Sequence, residues 1–128
     1  MDRLHPDRIR ADIDAVETET TARIAVRVLE HETNDAFEAA RQEFERANLH
    51  RHRDRNAVLF LLAPKSRRFA VIGDEAIHAR VGDAFWNELV DQMTPYFKRG
   101  ELTEGILFGI NRIGERLLEH FPKPAPPS

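Results

Sequence analysis

The chain contains no cysteine, which excludes disulfides, thiolate metal centres and cysteine nucleophiles. Serine is nearly absent as well. Ser66 is the only one before the C-terminal tail. It lies in a turn between two apolar runs rather than on a strand-to-helix elbow, which argues against serine-triad hydrolysis. No G-x-G-x-x-G, P-loop lysine motif or H-E-x-x-H occurs, so the common dinucleotide, nucleotide and zinc-protease signatures are missing. No apolar run approaches the roughly 20 residues of a membrane span. The longest, Ala57 to Pro64, has the length of a strand. The N-terminal MDRLHPDRIR lacks the apolar stretch of a signal peptide. The expectation is a cytoplasmic protein without a membrane span of its own. Charge of one sign is also lacking: 19 Lys+Arg stand against 22 Asp+Glu, a net charge of −3. That balance gives no global pull toward nucleic acid or an anionic membrane surface.

What is present reads as one globular domain. The 128 residues are 41% hydrophobic and 32% charged, a globular rather than a disordered composition. Pro6 suits the first turn of a helix, where a missing N–H costs nothing. Ile9, Ile13 and Val16 then recur at helical spacing, predicting a helix over 6–18. From Arg23 the period changes: Ile24, Val26 and Val28 alternate with Arg23, Ala25 and Arg27, as in a strand with one buried face. Asn34-Asp35 offers capping oxygens for a helix over 35–48, with Phe37, Ala40, Phe44 and Ala47 on its apolar face. Residues 57–63 are apolar without alternation, the pattern of a central strand covered on both sides. A short turn at Pro64-Lys65-Ser66 leads into a return strand over 67–73.

After Gly73 the pattern predicts a helical turn over 74–82, then Asp83 as the cap of a longer helix carrying Phe85, Trp86, Leu89, Val90 and Met93. Pro95 disturbs the end of that helix and Gly100 stops it. A last helix follows from Thr103 and Glu104. Trp86, Tyr96 and Phe97 at helical spacing read as core rather than as a ligand cage. Strand, helix, strand is a βαβ unit, so the first two strands are expected to be parallel, and the third to pair antiparallel with the second. The fold class is α/β: a three-layer α/β/α sandwich around a small mixed sheet in the order one-two-three, completed by C-terminal helices. Residues 1–122 are expected to form the single domain, and 123–128 a Pro-rich disordered tail.

Two groups of residues carry chemistry. The loop Arg51-His52-Arg53-Asp54-Arg55 is basic but has no aromatic other than imidazole to stack on a base, and a second basic cluster, Lys65, Arg67 and Arg68, lies at the opposite end of the second strand. Seven strand residues at about 3.3 Å each separate the two. Nucleic-acid binding is therefore not expected. The other group is Asp74, Glu75, His78 and Asp83. Carboxylates of this kind suit calcium or magnesium, and an added imidazole suits zinc or manganese. Chain reversal at Pro64–Ser66 places Asp74 and Glu75 beside the loop that carries His52, Arg53 and Arg55. A mixed acid-base edge is expected there, either as a cation site or as plain arginine–aspartate pairs.

The stretches RNAVLFLLAP, RRFAVIGDEAIHARVGDAFW, PYFKRGELTEGILFGI and GERLLEHFP, with ARIAVRV nearer the N-terminus, resemble the TPM domain family in its short, stand-alone bacterial form. The resemblance implies an α/β/α sandwich. It further implies links to photosystem II repair in plant lumenal members, acid phosphatase activity in some, calcium binding in some bacterial ones, and association with LemA-type membrane proteins. Of the acidic positions, Asp74 and Asp83 in GDEAIHARVGD are those onto which the family's acidic cleft carries over as metal ligands. The function expected is an accessory or binding module, acting with a LemA-type membrane partner and taking a divalent cation such as calcium. The alternative is a weak metal-assisted acid phosphatase. There Asp74 would be ligand or nucleophile, Arg53 or Arg55 would stabilise charge, and His52 or His78 would donate a proton.

Overall fold

A computed structural model of the chain describes residues 4–124. Its centre is the uninterrupted apolar run, which forms strand β2 (Val58–Ala63) with all six residues buried. A strand with no polar face needs cover on both sides, and it has that cover. Strand β1 (Ile24–Val28) pairs with β2 in parallel, Ile24 opposite Val58. Strand β3 (Arg68–Gly73) pairs antiparallel, Val58 opposite Gly73 and Ala63 opposite Arg68. The order is β1-β2-β3, as the connection rules require.

Because side chains alternate across a strand, β2 feeds two cores. Val58, Phe60 and Leu62 face helices α1 (Pro6–Glu19), α3 (Glu75–Lys98) and α4 (Leu102–His120), whose Ile13, Ile77, Met93 and Ile110 complete the larger core. Leu59, Leu61 and Ala63 face helix α2 (Ala36–Arg46), which contributes Ala40 and Phe44. Asp35 caps α2 through the Glu38 N–H at 3.0 Å. The result is the mixed α/β sandwich expected. Trp86 and Phe97 pack against the larger core.

Some local details differ from the sequence-based expectation. Residues 75–98 are helical on both sides of a sharp break at Gly82 (φ 79°, ψ 169°), where the expected helical turn and the longer helix after it meet. That backbone shape is natural only for glycine. The Asp83 carboxylate, expected as a cap, instead approaches His78, Oδ1 to Nε2 3.3 Å. Arg67 belongs not to β3 but to the turn before it, in the left-handed region at φ 52°. Lys123, assigned to the tail, donates its N–H to Glu19 O at 3.0 Å, and Pro122 bridges Thr20. The rest of that tail, 125–128, lies outside the described residues.

Candidate functional site

The edge predicted to gather acid and base is formed where β3 runs into α3. Gly73 pairs with Val58, so the chain leaves β3 level with the start of β2, and the Asp74 N–H donates to Ala57 O at 2.9 Å. On the β2 side Arg55 sits in a tight turn at φ 51°, its N–H donating to His52 O and its carbonyl accepting from the Ala76 N–H at 2.9 Å. The turn is thereby stapled to the first turn of α3.

The side chains follow from that staple. Arg55 grips Asp74 with both arms of its fork, Nε to Oδ2 2.7 Å and Nη2 to Oδ1 2.9 Å. Asp74 Oδ1 also accepts the Glu75 N–H at 2.7 Å, capping α3. Asp74 is only 8% exposed, so loss of these partners would leave a buried polar group unsatisfied. The hydrogen bond to Asp74 raises the Arg55 pKa above its ordinary value, against the opposing effect of burial. Glu75 lies farther out, its Oε1 3.3 Å from Arg55 Nη1.

The other predicted residues go elsewhere. His52 Nε2 lies 2.7 Å from Thr21 O. A carbonyl only accepts, so that nitrogen holds the proton and the ring is turned away from Asp74 toward the β1 side. Arg53 is exposed and has no ion-pair partner among the described residues. His78 is held by two groups: Trp86 Nε1 donates to its Nδ1 at 3.0 Å, and its Nε2 faces Asp83. Indole N–H is a donor only, so Nδ1 is unprotonated and Nε2–H points at the carboxylate. The six candidates thus resolve into two pairs, Arg55–Asp74 and His78–Asp83, with His52 and Arg53 outside both. Asn56, which no sequence signal singles out, is fully buried beside this loop and donates from Nδ2 to Thr21 Oγ1 at 3.0 Å.

The family model for the TPM domain matches residues 2–116. The chain belongs to the TPM domain family. Among solved structures it is similar to the BA42 protein of the psychrophilic bacterium Bizionia argentinensis, at 27% identity and a TM-score of 0.79 over 94% of this chain and 86% of that one. It is also similar in fold to the N-terminal domain of a P. gingivalis protein, at 16% identity and a TM-score of 0.75 over 90% and 76% of the two chains. A third likeness is the N-terminal domain of the Corynebacterium glutamicum cg2496 protein, at 18% identity and a TM-score of 0.67 over 87% and 70%. No protein of curated function matches in sequence.

In this TPM domain, Asp74 and Asp83 do not fit a divalent cation as they stand. Calcium takes six to eight oxygens, several of them carboxylate. Both Asp74 oxygens already accept from Arg55, and one from a backbone N–H as well. A cation there would sit against a guanidinium. Among the described residues no group of three or more His, Asp or Glu is placed to hold a metal ion.

The TPM domain has another feature at the opposite end of β2, which no sequence motif marks. A cavity of about 480 Å³ opens where β2 ends and α3 meets α4. Leu62, Phe69, Phe97 and Leu102 line it, and Arg67, Arg68, Lys98 and Arg99 stand around it. The signal was available in part. Helix α3 returns antiparallel to β3, so its last turn lands beside the start of that strand and adds Lys98-Arg99 to Arg67-Arg68.

Proposed function

We propose that this TPM domain is a non-catalytic accessory module that binds a membrane-associated protein of LemA type. The observation that carries the reading is the state of Asp74. The residue that would act as ligand or nucleophile has both oxygens engaged by Arg55, and Arg55 is in turn engaged by Asp74 and Glu75. A nucleophile needs a free lone pair aimed at phosphorus, and a charge-stabilising arginine needs free N–H groups. On this edge Asp74 accepts three hydrogen bonds and Arg55 is turned onto Asp74 and Glu75, so each is directed at its partner. Membership of the family supports a partner of LemA type, and the exposed cations at the far end of β2 support a binding role. Among the described residues no helix is long and apolar enough to cross a membrane.

The test is retention of a detergent-solubilised LemA-type protein from the same cell on the immobilised domain. Saturable retention, competed by free domain, is expected; none at micromolar concentrations sinks the reading. A parallel assay addresses catalysis. Turnover of a small phosphate ester is expected to be equal in wild-type and Asp74→Ala preparations made identically. Metal-dependent turnover lost with Asp74 would favour the phosphatase instead.

A further inference from the structure

The cavity at the carboxyl end of β2 is independent of the Asp74 edge. Its volume of about 480 Å³ falls within the roughly 300–1,000 Å³ of pockets that take small ligands. Its position follows the rule that α/β sheets bind ligands beyond the carboxyl ends of their parallel strands. Its floor is apolar: Leu62 and Leu102 are buried, and Phe69 and Phe97 meet edge to face at 4.4 Å between ring centres.

The rim is cationic. Arg99 is paired, its Nε donating to Glu101 at 2.7 Å, and it lies over the Tyr96 ring. Arg67, Arg68 and Lys98 are exposed and have no ion-pair partner among the described residues. Several exposed arginines elsewhere find carboxylates: Arg8 with Glu104, Arg41 with Glu38, Arg116 with Glu119. Three unpaired cations gathered on one rim of a chain with net charge −3 repel one another unless an anion joins them. One of them, Arg67, also occupies a left-handed backbone conformation (φ 52°) that disfavours any side chain with a Cβ. Of the other arginines without an ion-pair partner among the described residues, Arg80 stands on the exposed face of α3, and Arg23, Arg51 and Arg53 border a depression lined by Asn48 and His52 that has no phenylalanine wall.

We propose that this cavity binds a small anionic amphiphile, a phosphate or carboxylate head on an aliphatic body. The head lies among Arg67, Arg68 and Lys98, where guanidinium forks match the paired oxygens of such groups. The body lies on Phe69, Phe97 and the two leucines. Neither half suffices. An exposed cation cluster alone holds an anion weakly against solvent and salt, and an apolar floor alone does not select an anion.

Hexyl phosphate, titrated calorimetrically and by amide chemical shifts, separates the alternatives. Saturable binding is expected, with the largest shifts at Phe69, Phe97 and Leu102. Hexanol and inorganic phosphate are each expected to bind at least about tenfold more weakly, since each lacks one half of the recognition. The double variant Arg68→Ala, Lys98→Ala is expected to lose at least about tenfold in affinity with an unchanged melting temperature, and Arg51→Ala to lose nothing. Equal binding of hexanol, equal binding of inorganic phosphate, or an unaffected double variant overturns the proposal. So does binding to phosphatidylglycerol vesicles with none to free hexyl phosphate, which would make the rim a membrane-facing surface. Retention of a LemA-type protein is read separately, so either proposal can fail without the other.

Discussion

The two ends of strand β2 carry similar residues in opposite states. At its start, Arg55 and Asp74 satisfy one another in a bidentate pair, and the backbone around them is stapled by further hydrogen bonds. At its end, Arg67, Arg68 and Lys98 surround an apolar hollow with no ion-pair partner among the described residues. In the linear sequence the start resembles a site, because acids, bases and histidines are near one another. The far end resembles a solvated turn, because its residues come from two distant segments. What separates structure from function here is whether the valences are closed. A carboxylate whose oxygens are engaged holds a helix onto a loop, whereas cations left open over an apolar floor can receive something.

Substitutions can break this contrast. The largest effect is expected where the strand itself is damaged, since both ends hang from it. Leu61 is 2% exposed within the core beneath α2, and Leu61→Ala is expected to cost about 2–5 kcal/mol. Urea denaturation checks it through a fall in midpoint at constant slope. Next comes the closed end. Asp74→Ala removes charge-assisted hydrogen bonds worth about 1.5–3 kcal/mol and a helix cap worth about 1 kcal/mol. A loss of about 2–4 kcal/mol is expected by the same assay, and a loss below about 0.5 kcal/mol would mean the pair holds nothing together.

The open end is expected to respond in the other sense. Arg68→Ala with Lys98→Ala removes exposed, mutually repelling charges, so stability is expected to stay within about 0.5 kcal/mol of wild type or to rise. A fall like that of Asp74→Ala would show that the rim is structural after all. The smallest effect belongs to an ion pair away from both ends. Arg41, by its hydrogen bond, holds Glu38 below the ordinary carboxylate value, and the pair is solvent-exposed. A depressed carboxylate stabilises above its unfolded pKa, and that contribution disappears as pH falls through the lowered folded value. Glu38→Gln is therefore expected to lose slightly at neutral pH and nothing in acid below the lowered value, which flattens the acid side of the profile.

Much of the architecture was legible because it rests on patterns that survive burial. An apolar run without alternation could only be a central strand, and βαβ followed by a hairpin allowed one sheet order. The neighbourhood of Asp74 and Arg55 was legible for the same reason, since the hairpin register brings Gly73 opposite Val58. Details that depend on a few dihedral angles were not. The left-handed turn at Arg55 decides that its own guanidinium, and not that of Arg53, meets Asp74. His52 turns to a carbonyl on another segment, and nothing in a sequence marks which carbonyl will be free. The cationic rim depends on where the helix that follows the break at Gly82 returns to the sheet. Lys123 joins the fold through its backbone alone, which a proline-rich composition conceals.

The bidentate Arg55–Asp74 geometry favours a structural pair over a cation site at this edge. Thermal unfolding with added calcium, and separately manganese, tests it most directly, because an ion that binds only the folded chain must raise the melting temperature. No rise is expected at millimolar metal in the wild type, and the same drop is expected for Asp74→Asn whether metal is present or absent. A rise of several degrees in the wild type, abolished by both Asp74→Asn and Asp83→Asn, would contradict it.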